Sequence, residues 1–284
     1  MSSEPQISVC IPAYQARAHL RKAVLSVLNQ TRQDFEIVIV DDASQDGTLE
    51  SICDLEDPRI RRYANPINLG GGANWNLAVE RSKGKLIKLL CSDDILYPDC
   101  LEKQARILED THWDRVGLVC CWRDVIDANG RVLVKGKPRM PQGHIPGRHA
   151  VRKIVRSGTN PLGEPGSVLF RRELLTKVGT FDGSNPFVLD IDMWSRMLFH
   201  SDLYMIPEIL CGFRISAESW SVRLARGHSQ DYANWIDYIA GYPDSGITPG
   251  DRRLGRARAV LWSWARMLLY RTTLRQGRMR GQNP

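Results

Sequence analysis

Two aspartates stand side by side at Asp93–Asp94, one residue after the apolar run LIKLLC (residues 86–91), and a second pair, Asp41–Asp42, closes the run FEIVIV (35–40). Adjacent carboxylates repel each other when both are ionised and nothing neutralises them. Such a pair suits a helix cap, an acidic surface turn, or a divalent cation with its ligand. A hard cation takes oxygen donors, and a phosphate-bearing molecule can complete its coordination. The capping explanation fits Asp42, Ser44 or Asp46 one at a time. It does not account for two acidic pairs at the ends of two apolar runs.

Those runs belong to a regular alternation. ISVCI (7–11) is a short continuous apolar run, the pattern of a strand buried on both faces. Leu20, Ala23, Val24, Val27 and Leu28 then recur at helical spacing. FEIVIV reads as the second strand and DGTLESICDL as a short helix. RIRRYA (59–64) follows as a strand, GANWNLAVERS as a helix and LIKLLC as the fourth strand. Pro98 suits the first turn of a helix over PDCLEKQARILED. Strand and helix alternating with short connections predicts an α/β fold, a mostly parallel, doubly wound sheet with flanking helices. Ligands of such sheets bind outside the carboxyl ends of the strands. Three of those ends carry polar or turn-forming groups: Pro12-Ala13-Tyr14, Asp41-Asp42 and Ser92-Asp93-Asp94.

The second half is patterned differently. VGLVCCWRDVID and RVLVKG flank Asn129-Gly130, a hairpin signal. A Pro/Gly-rich stretch runs from Lys137 to Gly147, and a helix is expected near 148–157. SVLFRR reads as a strand and DIDMWSRMLFH as a helix. Residues 218–250 have weak periodicity and are expected to be a mobile segment or several short helices. Composition bounds the rest. With 43% apolar and 25% charged residues in 284, the chain is ordinary globular material with no run long enough to span a membrane. The start, MSSEPQISV, lacks the basic and apolar regions of a signal peptide. None of seven cysteines forms a CxxC pair, so buried free thiols in a reducing cytoplasm are expected rather than zinc ligands.

Charge is uneven. Nine arginines face one aspartate from Asp251 to Pro284, so the excess of +7 lies in the tail, and nucleic-acid binding by the nearly neutral body is not expected. Several reaction classes also fall away. Gly70, Gly71 and Gly72 lack the third glycine of a dinucleotide fingerprint, where Trp75 stands, and the turn PAYQAR has no glycine. No GxxxxGK[ST] motif occurs. A glycosidase needs two carboxyls about 5 Å or more apart across a bond, which neighbours on one turn do not provide by design.

ISVCIPAYQARAHLRKAVLSVLNQT, FEIVIVDDASQDGT and NLGGGANWNLAVERSKGKLIKLLCSDD together resemble the inverting family 2 glycosyltransferases of GT-A fold, densely over residues 6–110 and more thinly over 167–216. The resemblance implies that Pro12, Ala13, Tyr14 and Asp42 hold the nucleotide base, with Asn68, Gly70 and Asn76 also lining the nucleotide, while Asp41 supports its turn. It implies that Asp93 and Asp94 bind Mn2+ or Mg2+, with Asp93 also on the nucleotide. Cys91 replaces the first aspartate of the family's D-x-D-D motif. In FVLDIDMWSR the family's spacing makes Asp190 the catalytic base, with Arg196 as its companion arginine, Leu189 in place of a glutamate and Asp192 as the competing base. Arg214 corresponds to a position whose basic side chain reaches the diphosphate. Trp194 and Trp220 are sugar-stacking candidates, with core or lid packing the commoner use.

The implied reaction is a single displacement from a nucleotide-sugar donor to a saccharide or lipid-linked acceptor. Cys91 and Leu189 also suit a degraded module that binds nucleotide sugar without turnover. A nucleotidyltransferase would need a Gly-rich basic loop after the first strand, which is missing. The expected organisation is a transferase domain over 1–217, divided into a nucleotide-binding half (1–115) and an acceptor-binding half (116–217), with an extension over 218–284. That extension is expected to form one or two Arg-rich amphipathic helices, whose Trp262, Trp264 and Leu268 suit an anionic membrane surface. The expected location is cytoplasmic, peripheral on the inner face of the membrane.

Overall fold

The computed structural model describes residues 5–215 and 228–280. The first half follows the predicted alternation: β1 (Ile7–Ala13), α1 (Leu20–Leu28), β2 (Phe35–Asp41), a 3-10 turn at Glu50–Ile52, β3 (Ile60–Ala64), α2 (Gly71–Glu80), β4 (Leu86–Leu89), β5 (Ile95–Leu96) and α3 (Cys100–Glu109). Pro98 lies just before α3 and not in its first turn. The hairpin forms between β6 (Val116–Ile126) and β7 (Val132–Val134). β8 (Gly143–Ile145), α4 (Gly147–Ser157), β9 (Val168–Arg171), α5 (Leu175–Val178), α6 (Leu189–Leu198) and β10 (Asp202–Arg214) complete the body. Then come α7 (His228–Ala240) and α8 (Pro249–Arg280), the latter a single 32-residue helix.

The strands form one sheet in the order β3-β2-β1-β4-β9-β6-β10-β5, with β7 beside β6 and β8 beside β10. β1 pairs in parallel with both β2 and β4, while β9 runs against both of its neighbours. The alternation of side chains along a strand explains the continuous apolar runs. Ile7, Val9, Ile11 and Ala13 feed one core under α1 and α3. Cys10, Val38 and Val40 feed the opposite core, under α2, α4 and α6.

The chain order reverses beside β1, with β2 on one side and β4 on the other, so the crevice expected of this topology opens at their carboxyl ends. Pro12 marks the place. Cys10 gives its carbonyl to the Leu90 N–H, the last bond toward the β4 side. Alternation puts the N–H that Pro12 lacks on that same side, just after β4 has departed.

The described part of the extension joins the body. Tyr232, Trp235, Ile236 and Ile239 of α7 and Ala259 of α8 lie in the core beneath α4 and α6. Asp251, fully buried, accepts from Arg152 and Arg156 of α4. Backbones meet closely there: a Cβ on Gly255 would fall 2.2 Å from the Val155 carbonyl oxygen. Of the cysteines, Cys10, Cys100, Cys120, Cys121 and Cys211 are buried, Cys91 is half-buried and Cys53 exposed, all as free thiols. Among the described residues, no helix is long and apolar enough to cross a membrane.

Candidate active site

The rim is built by loops that brace one another. The Asp41 carboxylate accepts from the backbone N–H and hydroxyl of Ser44 and so holds its own turn, as expected. Ser44, Asp46 and Thr48 then take the N–H groups of Gln15, Arg17 and Ala16. These three residues serve as anchors for the first loop, not as helix caps. Gln15 and Ala43 sit at φ of 50° and 58° within this brace, a left-handed backbone that non-glycine residues adopt only where surrounding bonds hold it. The loop presents Tyr14 to solvent while Pro12 and Ala13 stay buried.

Asp42 is turned inward. It is 2% exposed and accepts from Asn65 Nδ2, the Leu69 N–H and the Gly70 N–H. Its carboxylate therefore shapes the 65–70 loop, in which Gly70 takes φ of 84° and Asn68 Oδ1 also accepts from its N–H. The structure gives the Asn76 amide to the backbone of Phe181 in two reciprocal bonds of 2.8 and 2.9 Å, tying α2 to the segment before α6.

Beyond β4, Cys91 Sγ and one carboxylate oxygen each of Asp93 and Asp94 lie within 4.8 Å of one another. Asp94 is buried, and its Oδ1 accepts the Arg214 N–H. Burial, and next the charge of Asp93, push the Asp94 carboxyl well above the usual carboxylate range. Burial and the charges of Asp94, Asp93 and Asp190 raise the Cys91 thiol in the same way. A cluster whose members suppress one another's ionisation is one that a cation would relieve. Two hard oxygens and one sulfur fit a divalent ion, Asp93 and Asp94 being its natural ligands.

Arg214 was expected at the diphosphate. Instead it is 1% exposed, its guanidinium donating to the carbonyls of Asp93, Asp127 and Ala128. The reason is local: the turns at 93–94 and 127–128 leave carbonyls without ladder partners, and a guanidinium fork satisfies several at once. Arg214 thus clamps the acidic turn from behind.

The base candidates also separate. Asp192 is buried and bonded to Arg196 at 2.7 Å, and Arg196 also holds the carbonyls of Val178 and Thr180. The pair is a structural clasp. Asp190, half-buried at the start of α6, accepts from Asn160 Nδ2 at 2.8 Å and from the Ile191 N–H. Burial raises its carboxyl from the ordinary 3.8 to about 6. Asn160 is itself fixed by Gly163 and Leu162. Trp194 is fully buried against Phe170 and Phe181, so it is core. Trp220 lies outside the described residues.

One cation of the site went unnoticed in the sequence. Arg123 of β6 forms a two-pronged pair with Glu164. Burial and the nearby Arg139 push its pKa down to about 10, while Asp94 and Asp190 oppose that shift. Arg123 is therefore close enough to feel the charges of both Asp94 and the base candidate Asp190. The available signal was the charged pair Arg123-Asp124 in the middle of VCCWRDVI, an otherwise apolar strand.

A mixed sheet, parallel over β3-β2-β1-β4 and antiparallel around β9, with an acidic turn after β4 and a carboxylate at the head of α6, places the protein among GT-A folds. Staphylococcus aureus TarS 1-349, solved with UDP-GlcNAc, superposes with a TM-score of 0.67 at 17% identity over 90% of this chain and 71% of that one. The Pyrobaculum calidifontis mannosyltransferase PcManGT, solved with GDP-Man and Mn2+, gives 0.65 at 18% identity over 92% and 72%. The profile of Glycosyl transferase family 2 matches residues 8–179, and the chain belongs to that family. The Mycobacterium tuberculosis protein MT1568 is 30% identical over 281 residues, covering 94% of this chain and 85% of the relative.

Proposed function

We propose that the protein is an inverting glycosyltransferase that moves a sugar from a nucleotide-diphosphate donor, UDP- or dTDP-linked, to a hydroxyl of a saccharide or lipid-linked acceptor in glycan or polysaccharide biosynthesis. The observation that carries this reading is Asp190, a half-buried carboxylate raised to about 6 and held by Asn160 on the rim that also bears Asp93 and Asp94. Support for a nucleotide-sugar donor comes from the UDP-GlcNAc and GDP-Man bound by the two similar folds.

Asp93 and Asp94 would hold Mn2+ or Mg2+, which as a Lewis acid neutralises charge on the diphosphate leaving group. Arg214 fixes their turn, and Arg123 adds positive charge that both Asp94 and Asp190 feel. Tyr14 would present its exposed ring to the nucleotide, while Pro12 and Ala13, both buried, anchor its loop at the end of β1. Asp42 acts by shaping the loop of Asn68 and Gly70. Asp190 removes the acceptor hydroxyl proton as that oxygen attacks the anomeric carbon from the face opposite the leaving group. A carboxylate raised to about 6 is mostly ionised at neutral pH yet more basic than an ordinary aspartate. Asn160 keeps it aimed.

An α-linked donor then yields a β-linked product. Proton NMR of the product made from an α-linked UDP-sugar in the presence of manganese tests this; an α-linked product sinks the single displacement.

A further inference from the structure

A hollow of about 430 Å³ lies between residues 138–141, the last turns of α4 and one side of α8. Arg139, Met140, Lys153, Arg156, Ser157 and Arg258 line it together with two prolines, and among the described residues no carboxylate contributes to its wall. Four cationic side chains facing one open space repel one another unless an anion joins them. Beside Lys153, Arg156 and Arg258, one counter-charge is found among the described residues, the buried Asp251, which is shared by Arg152 and Arg156 behind the wall. Lys153 has no ion-pair partner among the described residues, and Arg258 spends one donor on the Arg156 carbonyl.

The wall is also rigidly built. Gly158 takes φ of 65°, and a Cβ there would fall 2.5 Å from the Ala259 nitrogen, so α4 and α8 meet backbone to backbone. Trp262 Nε1 donates to the Ser157 carbonyl and closes the same seam. Arg258 is therefore held over the end of α4 by packing on both sides of it. The hollow is near the chemistry as well. Ser157 in its wall is three residues before Asn160, at most about 11 Å of chain, and Asn160 touches the Asp190 carboxylate. Arg139 on the other wall is close enough to Arg123 to depress its pKa.

We propose that this hollow binds a phosphate group of the acceptor, so that the substrate receiving the sugar is a phosphate ester. The inference rests on the transferase reading and names its acceptor class. A phosphate offers several acceptor oxygens and negative charge to Lys153, Arg156, Arg258 and Arg139, and the volume lies within the range of small-molecule sites. The acceptor hydroxyl would then reach Asp190 while its phosphate stays outside the metal cluster.

Binding of the full chain to glycerol 3-phosphate, with glycerol as control, is measured by calorimetry in EDTA so that the acidic cluster holds no cation. A parallel arm uses vesicles of phosphatidylcholine with and without roughly a fifth phosphatidic acid. Lys153→Gln with Arg258→Gln should weaken phosphate binding by roughly tenfold or more, since charge-assisted bonds are lost, and Lys153→Arg should keep it. A loss in the soluble arm assigns a water-soluble phosphate ester, and a loss confined to vesicles assigns a lipid phosphate. Equal binding by the double variant and the unaltered chain in both arms overturns the proposal, as does no saturable binding by the unaltered chain in either. Release of free nucleotide from the donor in water is followed alongside. It should be unchanged in the double variant, and its absence from the unaltered chain with manganese would sink the transferase reading instead.

Discussion

Replacing Asp190 with asparagine tests the assignment of the base at one atom. The carboxylate accepts two bonds in the structure, from Asn160 and from the Ile191 N–H. Asparagine has one acceptor oxygen, so one donor would face an NH2 group, a loss of about 1 kcal/mol. Against that stands the cost of keeping an ionised carboxylate where burial raises it from 3.8 to about 6. The folded state holds that proton more tightly than the unfolded chain. The penalty is therefore absent below the ordinary value, grows as pH rises toward 6 and is complete above it, at about 3 kcal/mol at most. Asp190→Asn removes the penalty, so its Tm at pH 7.5 should equal or exceed that of the unaltered protein, and the advantage should vanish near pH 4. Turnover should move the other way, falling by about 10² to 10⁴ because asparagine cannot accept the proton. Donor affinity, measured by calorimetry with manganese, should barely change. The unaltered enzyme should lose kcat/KM about tenfold per pH unit below about 6, as protonation disables the base. Full turnover in Asp190→Asn, or a loss explained by unfolding, would refute the reasoning.

Asp192→Asn should lower stability by about 3–5 kcal/mol, since it strands Arg196 in a buried site, while the molecules still folded retain most of their turnover; loss of turnover without loss of Tm would make Asp192 the base. Asp93→Ala and Asp94→Ala should each abolish the manganese-dependent Tm rise given by a nucleotide sugar, a ligand-linked stabilisation, and an unchanged rise in both would remove the metal assignment. Gly255→Ala should destabilise the α4–α8 junction by about 1–3 kcal/mol in urea unfolding, because its Cβ would meet the Val155 carbonyl. The tail surface is best tested at Leu261 and Trp264, 66% and 68% exposed, because truncation after Gly250 would also remove the packed Asp251 and Ala259. Leu261→Ser with Trp264→Ser should reduce flotation with anionic vesicles, and undiminished flotation would exclude this face as the anchor.

The strands and the acidic turns that follow them were legible because both are written in local pattern. Continuous apolar runs require two covered faces, and the acidic pairs follow those runs directly, so sequence position alone carried them to the sheet edge. The arginines were not legible, because an arginine's role depends on which unpaired groups the fold brings to it. Arg214 looked like a phosphate ligand, yet the turns at Asp93 and Ala128 leave carbonyls that only the folded chain places around its guanidinium. Arg123 sat unremarked in a strand until β6 lay beside the acidic turn. Asp190 and Asp192 posed the same ambiguity in miniature. Both open one helix, and nothing in LDID tells which carboxylate an arginine will occupy. The i,i+4 spacing from Asp192 to Arg196 is an ordinary helical ion-pair spacing, and the fold uses it that way. That leaves Asp190, a third of a turn away from alignment with Arg196, to face Asn160 and the rim. The tail shows the converse. Its composition suggested a helix at a membrane, but Gly255, Ala259 and Asp251 also make its first turns part of the body. Small residues and one buried acid among nine arginines were the sign that this helix has an inner face, and the wall of the basic hollow is where that face and the arginines meet.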